Sequence, residues 1–559
     1  MTSFNFKKWN TILGWTAFAI ALITYSLTVE PTLSFWDCGE YIATSANLEV
    51  GHPPGAPLFQ MLGAFFAMFA FSPDKIALMV NYLSVFSSAF TVLFLFWSLT
   101  MILKKVVSTA KEISKNQNIM ILGSAFIASL TFTFSDSFWY NAVEAEVYAM
   151  ATFLIALLFW LGLRWEQEFE TPRGNKWLLI ISLVIGLSFG VHFMALLAFP
   201  AIGFLYFFKK YKTVTVKSFL IANVVIIAIL LFIFKLLLPY TLAFFGKTEI
   251  FMVNSLGMPF NSGTIFAFLL IIAAFYFGLN YTKKKGHVFY NTLILATLFI
   301  LIGFSTWLML PIRANANTPI NENKPSDAAE VLAYYNREQY GEQKLFYGPQ
   351  FSDTYAGLDP ETPYLDGKPN YERDYKTGKY IITNNFKNAT QNTDDAHKAL
   401  LPRMWSNEHN VNYMTFGEPL EFRINPEYSH EDELVQIVTD FRKAYATGEV
   451  DLKGYDKFLK TYGEYLIVDK PSFATNMKFM FQYQFGYMYM RYLLWNFVGR
   501  QNDEQGKYED LKGNWITGID VIDEFFIGSQ KNLPSDIANN KARNIYYGIP
   551  LILALIGFV

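Results

Sequence analysis

The chain of 559 residues carries 45 basic and 47 acidic side chains, for a formal net charge of -2. It is 52% hydrophobic and 18% aromatic, with only 16% charged residues. This near-neutral balance lacks a basic stripe and excludes a nucleic-acid partner, and the single cysteine, Cys38, excludes an intrachain disulfide.

Runs of about 20 apolar residues can cross the ~30 Å hydrocarbon core of a bilayer as helices. Such runs are predicted at 11–29, 76–103, 119–134, 148–163, 177–190, 193–208, 219–239, 264–279 and 288–310, about nine spans in all. The first follows Lys7 and Lys8 but is long and has no small-residue cleavage site, so it reads as an uncleaved span. Directly after it, residues 35–57 read FWDCGEYIATSANLEVGHPPGAP. On a helix, Asp37, Glu40, Tyr41, Thr44 and Asn47 fall on one side and Phe35, Cys38, Ile42, Ala43 and Ala46 on the other. The pattern predicts a helix lying on the bilayer with its acidic face toward water. The GHPPG stretch containing His52 reads as a turn stiffened by two prolines.

The run from Leu58 to Phe71 is framed by Pro57 and Pro73 and is expected to lie on the outer surface. With that placement, Lys7, Lys8, Lys104, Lys105, Lys111, Lys115, Arg164, Arg173, Lys176, Lys209, Lys210, Lys212, Lys217 and Lys283 to Lys285 all fall inside. The short outer loops keep only Lys75 and Lys247, the asymmetry that orients membrane proteins. The same argument makes 177–208 a tight pair bending at Gly190 to His192, because a single helix there would invert the Lys283 cluster.

From Pro311 to about Arg543 the composition turns polar, which predicts an outer domain of mixed character spanning 311–543. Within it, the aromatic segment 479–497 is interrupted by Gln482, Gln484 and Arg491 and reads as an interfacial helix. Residues 544–559 read as the start of a further span, so that the chain ends at Val559 as a fragment of a longer protein. The Asn388-Ala389-Thr390 sequon is treated as a chance match.

Asp37, Glu40, Asp136, Glu144 and Glu146 therefore gather at the outer ends of the first spans, joined by His52 and His192. No predicted span has a carboxylate at its centre, which weighs against a lipid or polysaccharide transporter. Lys235 is the one intramembrane cation, placed near an outer end where it can snorkel. Carboxylates at a membrane surface suit transfer from a lipid-linked sugar phosphate, where a base takes the acceptor's proton and an arginine meets the departing phosphate. Asp37 is the first candidate for the base, with Glu40 either its partner or a water-facing residue. Outer candidates for the phosphate are Arg313, Arg403, Arg491 and Arg500. Glu49 and Asp136 read as solvated or capping acids. His287, His397, His409 and His430 show no paired metal spacing, so neither a metal nor another cofactor is expected.

Several stretches carry a family resemblance: FWDCGEY with GHPPGAP, SFWYNAVEAEVY, GVHF, PIRANANTPINENKPSD, NREQYG and RYLLWNFVGRQND. Together they resemble a bacterial group first catalogued as a domain of unknown function and placed with the GT-C protein O-mannosyltransferases, which has an animal endomembrane relative. An acid in the first outer loop followed by an HPP turn is similar, more distantly, to the wider GT-C class that includes aminoarabinose transferases. The resemblance implies an α-helical polytopic fold with a GT-C transmembrane region over 1–310, outer juxtamembrane helices and an extracytoplasmic domain. It implies a cytoplasmic-membrane enzyme that moves mannose, with inversion, from a polyprenyl-phosphate donor to Ser or Thr of an exported protein. By that likeness Asp37 takes the base position and Glu144 or Glu146 the second outer acid. A GT-C transferase acting on a glycan or lipid is the alternative enzyme.

Overall fold

The computed structural model describes residues 4–107, 113–171, 174–341, 344–384, 389–504 and 506–558. Lys111, Arg173 and Asn388 lie outside the described residues. The chain divides into two compact units: Met1–Gly341 with Tyr371–Ile381, and Glu342–Asn370 with Ile382–Val559.

Among the described residues, fifteen α-helices order the first unit: α1 Phe6–Thr28, α2 Cys38–Ala46, α3 Pro57–Ala67, α4 Ile76–Val107, α5 Lys115–Thr133, α6 Asp136–Ala142, α7 Val147–Glu168, α8 Gly174–Ser188, α9 Ala198–Lys210, α10 Val216–Leu231, α11 Leu238–Asn254, α12 Ser262–Lys284, α13 Val288–Phe304, α14 Met309–Asn315 and α15 Ala328–Asn336. Helices α4 and α7 form the centre, with α1, α3 and α5 against α4, and α8 and α9 against α7. Their core is a continuous apolar cluster including Phe59, Leu83, Met150, Leu158, Phe189, Trp307 and Tyr335. Gly186 and Gly303 let α8 and α13 approach backbone to backbone, since a Cβ on either would strike the facing main chain.

Among the described residues, seven helical segments are long and apolar enough to cross a membrane, or eight if α5 and α6, bent by 67° at Phe134 and Ser135, form one broken span. Eight of the nine predicted runs fall in these segments, and the remaining one, 177–190, is the shorter apolar helix α8. The 177–208 stretch does break at Phe189 to His192, and α8 is 15 residues long, ~22 Å at 1.5 Å per residue. The predicted 219–239 span is part of a helical segment of 39 residues, Val216–Asn254. At ~58 Å this is nearly two bilayer cores long, and its apolar run ends where Lys247 and Glu249 enter. Lys235 consequently sits mid-segment, in a π-type turn, with its ammonium 4.9 Å from the Phe234 ring. Glu249 is 2% exposed and serves structure: it accepts from the Asn261 and Thr264 N–H groups at the start of α12. Helix α3 is 11 residues long, also short of a span.

The first compact unit runs past 310, the boundary expected for the membrane region, to Gly341, because α15 buries Val331, Tyr334 and Tyr335 in its core. Asp327 caps α15 by accepting from the Ala329 and Glu330 N–H groups, and Glu330 reaches back to the Asp327 N–H. The Tyr371–Asp374 and Lys379–Ile382 strands pair, and residues 371–381 belong with the first unit, where Tyr380 exchanges hydrogen bonds with Asn254.

The second unit has its own core, including Phe351, Tyr413, Phe422, Leu434, Leu459 and Phe479. Short antiparallel pairs, Tyr347–Pro349 with Lys398–Leu400 and Phe422–Ile424 with Leu466–Val468, flank helices Asp432–Thr447 and Leu452–Tyr462. The aromatic segment of 479–497 lies in one continuous helical stretch from Phe473 to Phe497, with π-type turns over Met480–Met490.

Candidate active site

The site grows from the two turns that bracket α2. Trp36 takes a φ of 62°, a left-handed conformation costly for a bulky side chain, and turns the chain so that Asp37 stands at the N-cap. At the other end, Arg313 donates from Nε to the Leu48 carbonyl (2.5 Å) and from Nη2 to the Asn47 carbonyl (3.1 Å). Those carbonyls are among the groups a helix end leaves unpaired. Val50 then pairs with the chain at Asn321, and Gly51 accepts a hydrogen bond from the Tyr334 hydroxyl of α15. A Cβ at Gly51 would strike the Glu40 carboxylate, and Gly55, at φ 68°, has no room for one beside Tyr334.

The expected placement of α2, polar face to water, is overturned. Tyr41, Thr44 and Ser45 are buried, while Phe35 and Trp36 are about four-fifths exposed. Tyr41 packs its ring edge-on against Phe59, 5.5 Å between centroids, because α3 and α4 supply an apolar surface that a lone helix on a bilayer would lack. Asp37 is left exposed at the start of α2, with Glu40 partly buried beside it.

There Glu40 pairs with His52. One carboxylate oxygen accepts from the His52 backbone N–H (2.6 Å) and the other lies 2.9 Å from His52 Nδ1. His52 Nε2 points to Asp37 Oδ2 at 3.8 Å. Asp37 is 57% exposed in its side chain, Glu40 and His52 26% each. The Glu40 hydrogen bond holds His52 above its ordinary range, helped by the charges of Glu40, Asp37 and Glu322 against burial. Burial would raise Glu40, but its bonds to His52 outweigh that and hold it below the usual range. With Nδ1 committed to Glu40, Nε2 is the ring nitrogen presented toward Asp37.

The second acidic turn is of a different kind. Glu144 and Glu146 are 4% and 6% exposed. Ser34 donates to Glu144 (2.7 Å), and the Cys38 thiol lies 3.7 Å from Glu146. Burial pushes Glu146 up to about 7, reinforced by the charges of Asp37 and Glu144. Burial likewise raises Glu144, and it pushes the Cys38 thiol up to about 12. Glu49, read from sequence as solvated, is buried at 2%. Asp136 lies in the first turn of α6.

His192 stands just before the short helical turn Phe193–Leu197 and accepts from the Met194 N–H at Nδ1 (3.1 Å), so its proton sits on Nε2. Burial, then the nearby Arg337 charge, holds it below its ordinary range. Its ring lies 5.3 Å from Tyr148, at the start of α7 next to Glu146.

The four arginines expected to meet a phosphate each donate to a main-chain carbonyl. Arg313 caps α2, as above. Arg403, Arg491 and Arg500 belong to the second unit. Arg403 donates to the Leu345 carbonyl, Arg491 to the Tyr487 and Gly513 carbonyls, and Arg500 to the Asn502 carbonyl while stacking on Trp495 at 3.9 Å. Sequence reasoning missed Arg337, although it lies in the NREQYG motif. It also missed the pairing of His52 with Glu40, 12 residues apart, which the GHPPG turn alone does not suggest.

Asp37, Glu40 and His52 each offer one ligand atom, all within 4.8 Å of one another, and could hold a divalent cation. Both Glu40 oxygens are already bonded to His52, so a cation would have to displace that pair. As it stands, the arrangement is an exposed carboxylate 3.8 Å from an imidazole, with a buried acid pair close by.

The comparisons with known proteins fall on this region. Residues 37–215 match the N-terminal domain of protein O-mannosyl-transferase TMEM260. That stretch begins at Asp37 and contains Glu40, His52, Glu144, Glu146 and His192. The protein O-mannosyl-transferase tmem260 of Dictyostelium discoideum is 27% identical over 195 residues, 33% of this chain and 22% of the relative. The mouse protein O-mannosyl-transferase TMEM260 is 28% identical over 172 residues, 31% of this chain and 22% of the relative. The chain therefore matches about a fifth of the length of these curated relatives. Residues 341–481 match a family of unknown function, DUF8416. No solved structure matches the chain. Together with the apolar helices, the similarity supports a multi-pass membrane protein of the protein O-mannosyltransferase-like kind.

Proposed function

We propose that this chain is a GT-C membrane glycosyltransferase that moves mannose from a polyprenyl-phosphate donor to a Ser or Thr hydroxyl of an exported protein, with inversion. The observation that carries the reading is the coincidence of the TMEM260-like stretch with the acid cluster around Asp37. In one displacement the acceptor oxygen bonds to the anomeric carbon, the bond from that carbon to the phosphate oxygen breaks, and its electron pair leaves with the polyprenyl phosphate. Asp37 takes the hydroxyl proton as the oxygen attacks, an effect typically worth ~10² to 10⁴ in rate. His52, held by Glu40, positions the hydroxyl or stabilises the charge on Asp37. Glu144 and Glu146 shape the pocket from behind.

The cluster would lie on the extracytoplasmic face of the cytoplasmic membrane, opposite the lysine-rich loops. Ser114→Cys, in one of those loops, should then resist an impermeant maleimide added to intact cells, whereas labelling would reverse the orientation. The function is tested by giving purified full chain in nanodiscs a polyprenyl-phosphate mannose together with a Ser/Thr-rich peptide, a polysaccharide and a phospholipid. Hexose should appear on the peptide. Hexose on the polysaccharide or lipid alone would replace the protein acceptor with a glycan or lipid.

A further inference from the structure

An anionic donor must approach the carboxylates of Asp37 and Glu40, with Glu322 near enough to His52 for its charge to act there. Unit charges of like sign a few ångströms apart repel strongly when partly shielded from water, so the phosphate needs a cation of its own. Arg313 already gives Nε and Nη2 to the end of α2. Among the described residues, the Arg337 guanidinium makes no hydrogen bond or ion pair, is exposed, and rests 4.6 Å from the Tyr340 ring, a contact that orients its planar fork.

Its position follows from α15. Tyr334, one turn earlier, donates to Gly51, the neighbour of His52. Tyr335 packs against Phe193, the neighbour of His192, at 6.0 Å between centroids. Arg337 ends this helix in a left-handed conformation, φ 57°, so the same turn that touches both histidine-bearing loops carries the free guanidinium. His192, with Nδ1 accepting from Met194, presents Nε2–H as a second, neutral donor.

We propose that Arg337, assisted by the Nε2–H of His192, is the site that binds the donor's phosphate and receives the charge released on it as the sugar leaves. This rests on the polyprenyl-phosphate reading above. A guanidinium fork can give two parallel hydrogen bonds to phosphate oxygens, and Lys in its place keeps charge without the fork.

The test uses full chain in nanodiscs and measures binding of polyprenyl phosphate and of the uncharged polyprenol, then the donor KM and kcat. Arg337→Ala should weaken polyprenyl-phosphate binding and raise the donor KM at least about tenfold, with Arg337→Lys intermediate and polyprenol binding unchanged. His192→Phe should weaken phosphate binding by a smaller factor. Since Arg337 is exposed and bonds nothing, its variants should melt as the wild type does. Wild-type phosphate binding in a folded Arg337→Ala protein that still uses the donor overturns the proposal and leaves the transferase reading standing. A wild-type chain that binds no polyprenyl phosphate overturns both.

Discussion

Two acidic turns meet at this site, and the same residue types do different things in each. Around α2, Glu40 is tied to His52 and kept ionised, and Asp37 is more than half exposed. Behind them, Glu144 and Glu146 are nearly sealed from water, and burial raises both. Carboxylates whose environments push their proton affinities apart are how one site keeps an ionised base beside a neutral acid. The difference comes from what surrounds each group, an imidazole in one case and apolar wall in the other, and not from spacing along the chain.

The largest test of this division substitutes one acid from each turn. Asp37→Asn should slow sugar transfer by at least about a hundredfold while donor binding persists. Glu146→Gln, which fixes the neutral form already favoured by burial, should cost far less at pH 6. Near-normal transfer by Asp37→Asn would move the base to Glu144 or Glu146. Next in size, Glu40→Gln and His52→Gln should each lower transfer about tenfold by releasing the same pair, and the double variant should lose little more than either single one. If chelation of divalent ions reduces transfer more than tenfold, the three residues act as a metal site and the imidazole is a ligand.

Glu146 also makes a stability prediction with a definite sign. Its folded-state value is raised above that of the unfolded chain, so the native state holds the proton more tightly. The stability this supplies is present below the ordinary carboxylate range and is lost as pH rises through about 7. The wild type should therefore lose thermal stability between pH 5 and pH 8, and Glu146→Gln should lose less. Equal losses in the two would place Glu146 in water. The smallest effect belongs to the support of α2. Arg313→Ala removes two charge-assisted caps and should cost about 1–3 kcal/mol in unfolding free energy, without a selective rise in donor KM.

What the sequence made legible follows from range. The apolar runs placed the helices, and the acids at 37, 40, 144 and 146 declared themselves by following or preceding such runs. Helix lengths were misjudged where polar residues continue a helix beyond its apolar part, as at Lys247 and Glu249 in α11. The facing of α2 failed because a helical wheel assumes the bilayer is the partner, whereas Phe59 of α3 is. His52 lies 12 residues from Glu40 and Tyr334 lies 283 from Gly51, contacts that only the packed fold creates. Arginine roles were the least legible. Capping a helix and meeting a phosphate use the same guanidinium, and only geometry tells Arg313 from Arg337.

The central claim is a single displacement in which Asp37 takes the acceptor's proton. It is tested most directly by the anomeric configuration of the product, read by nuclear magnetic resonance on a Ser/Thr peptide mannosylated by wild-type protein from a β-linked polyprenyl-phosphate donor. The account predicts an α-linked mannose, inverted relative to the donor. A β-linked product would require two displacements through a covalent sugar on the enzyme and would contradict it.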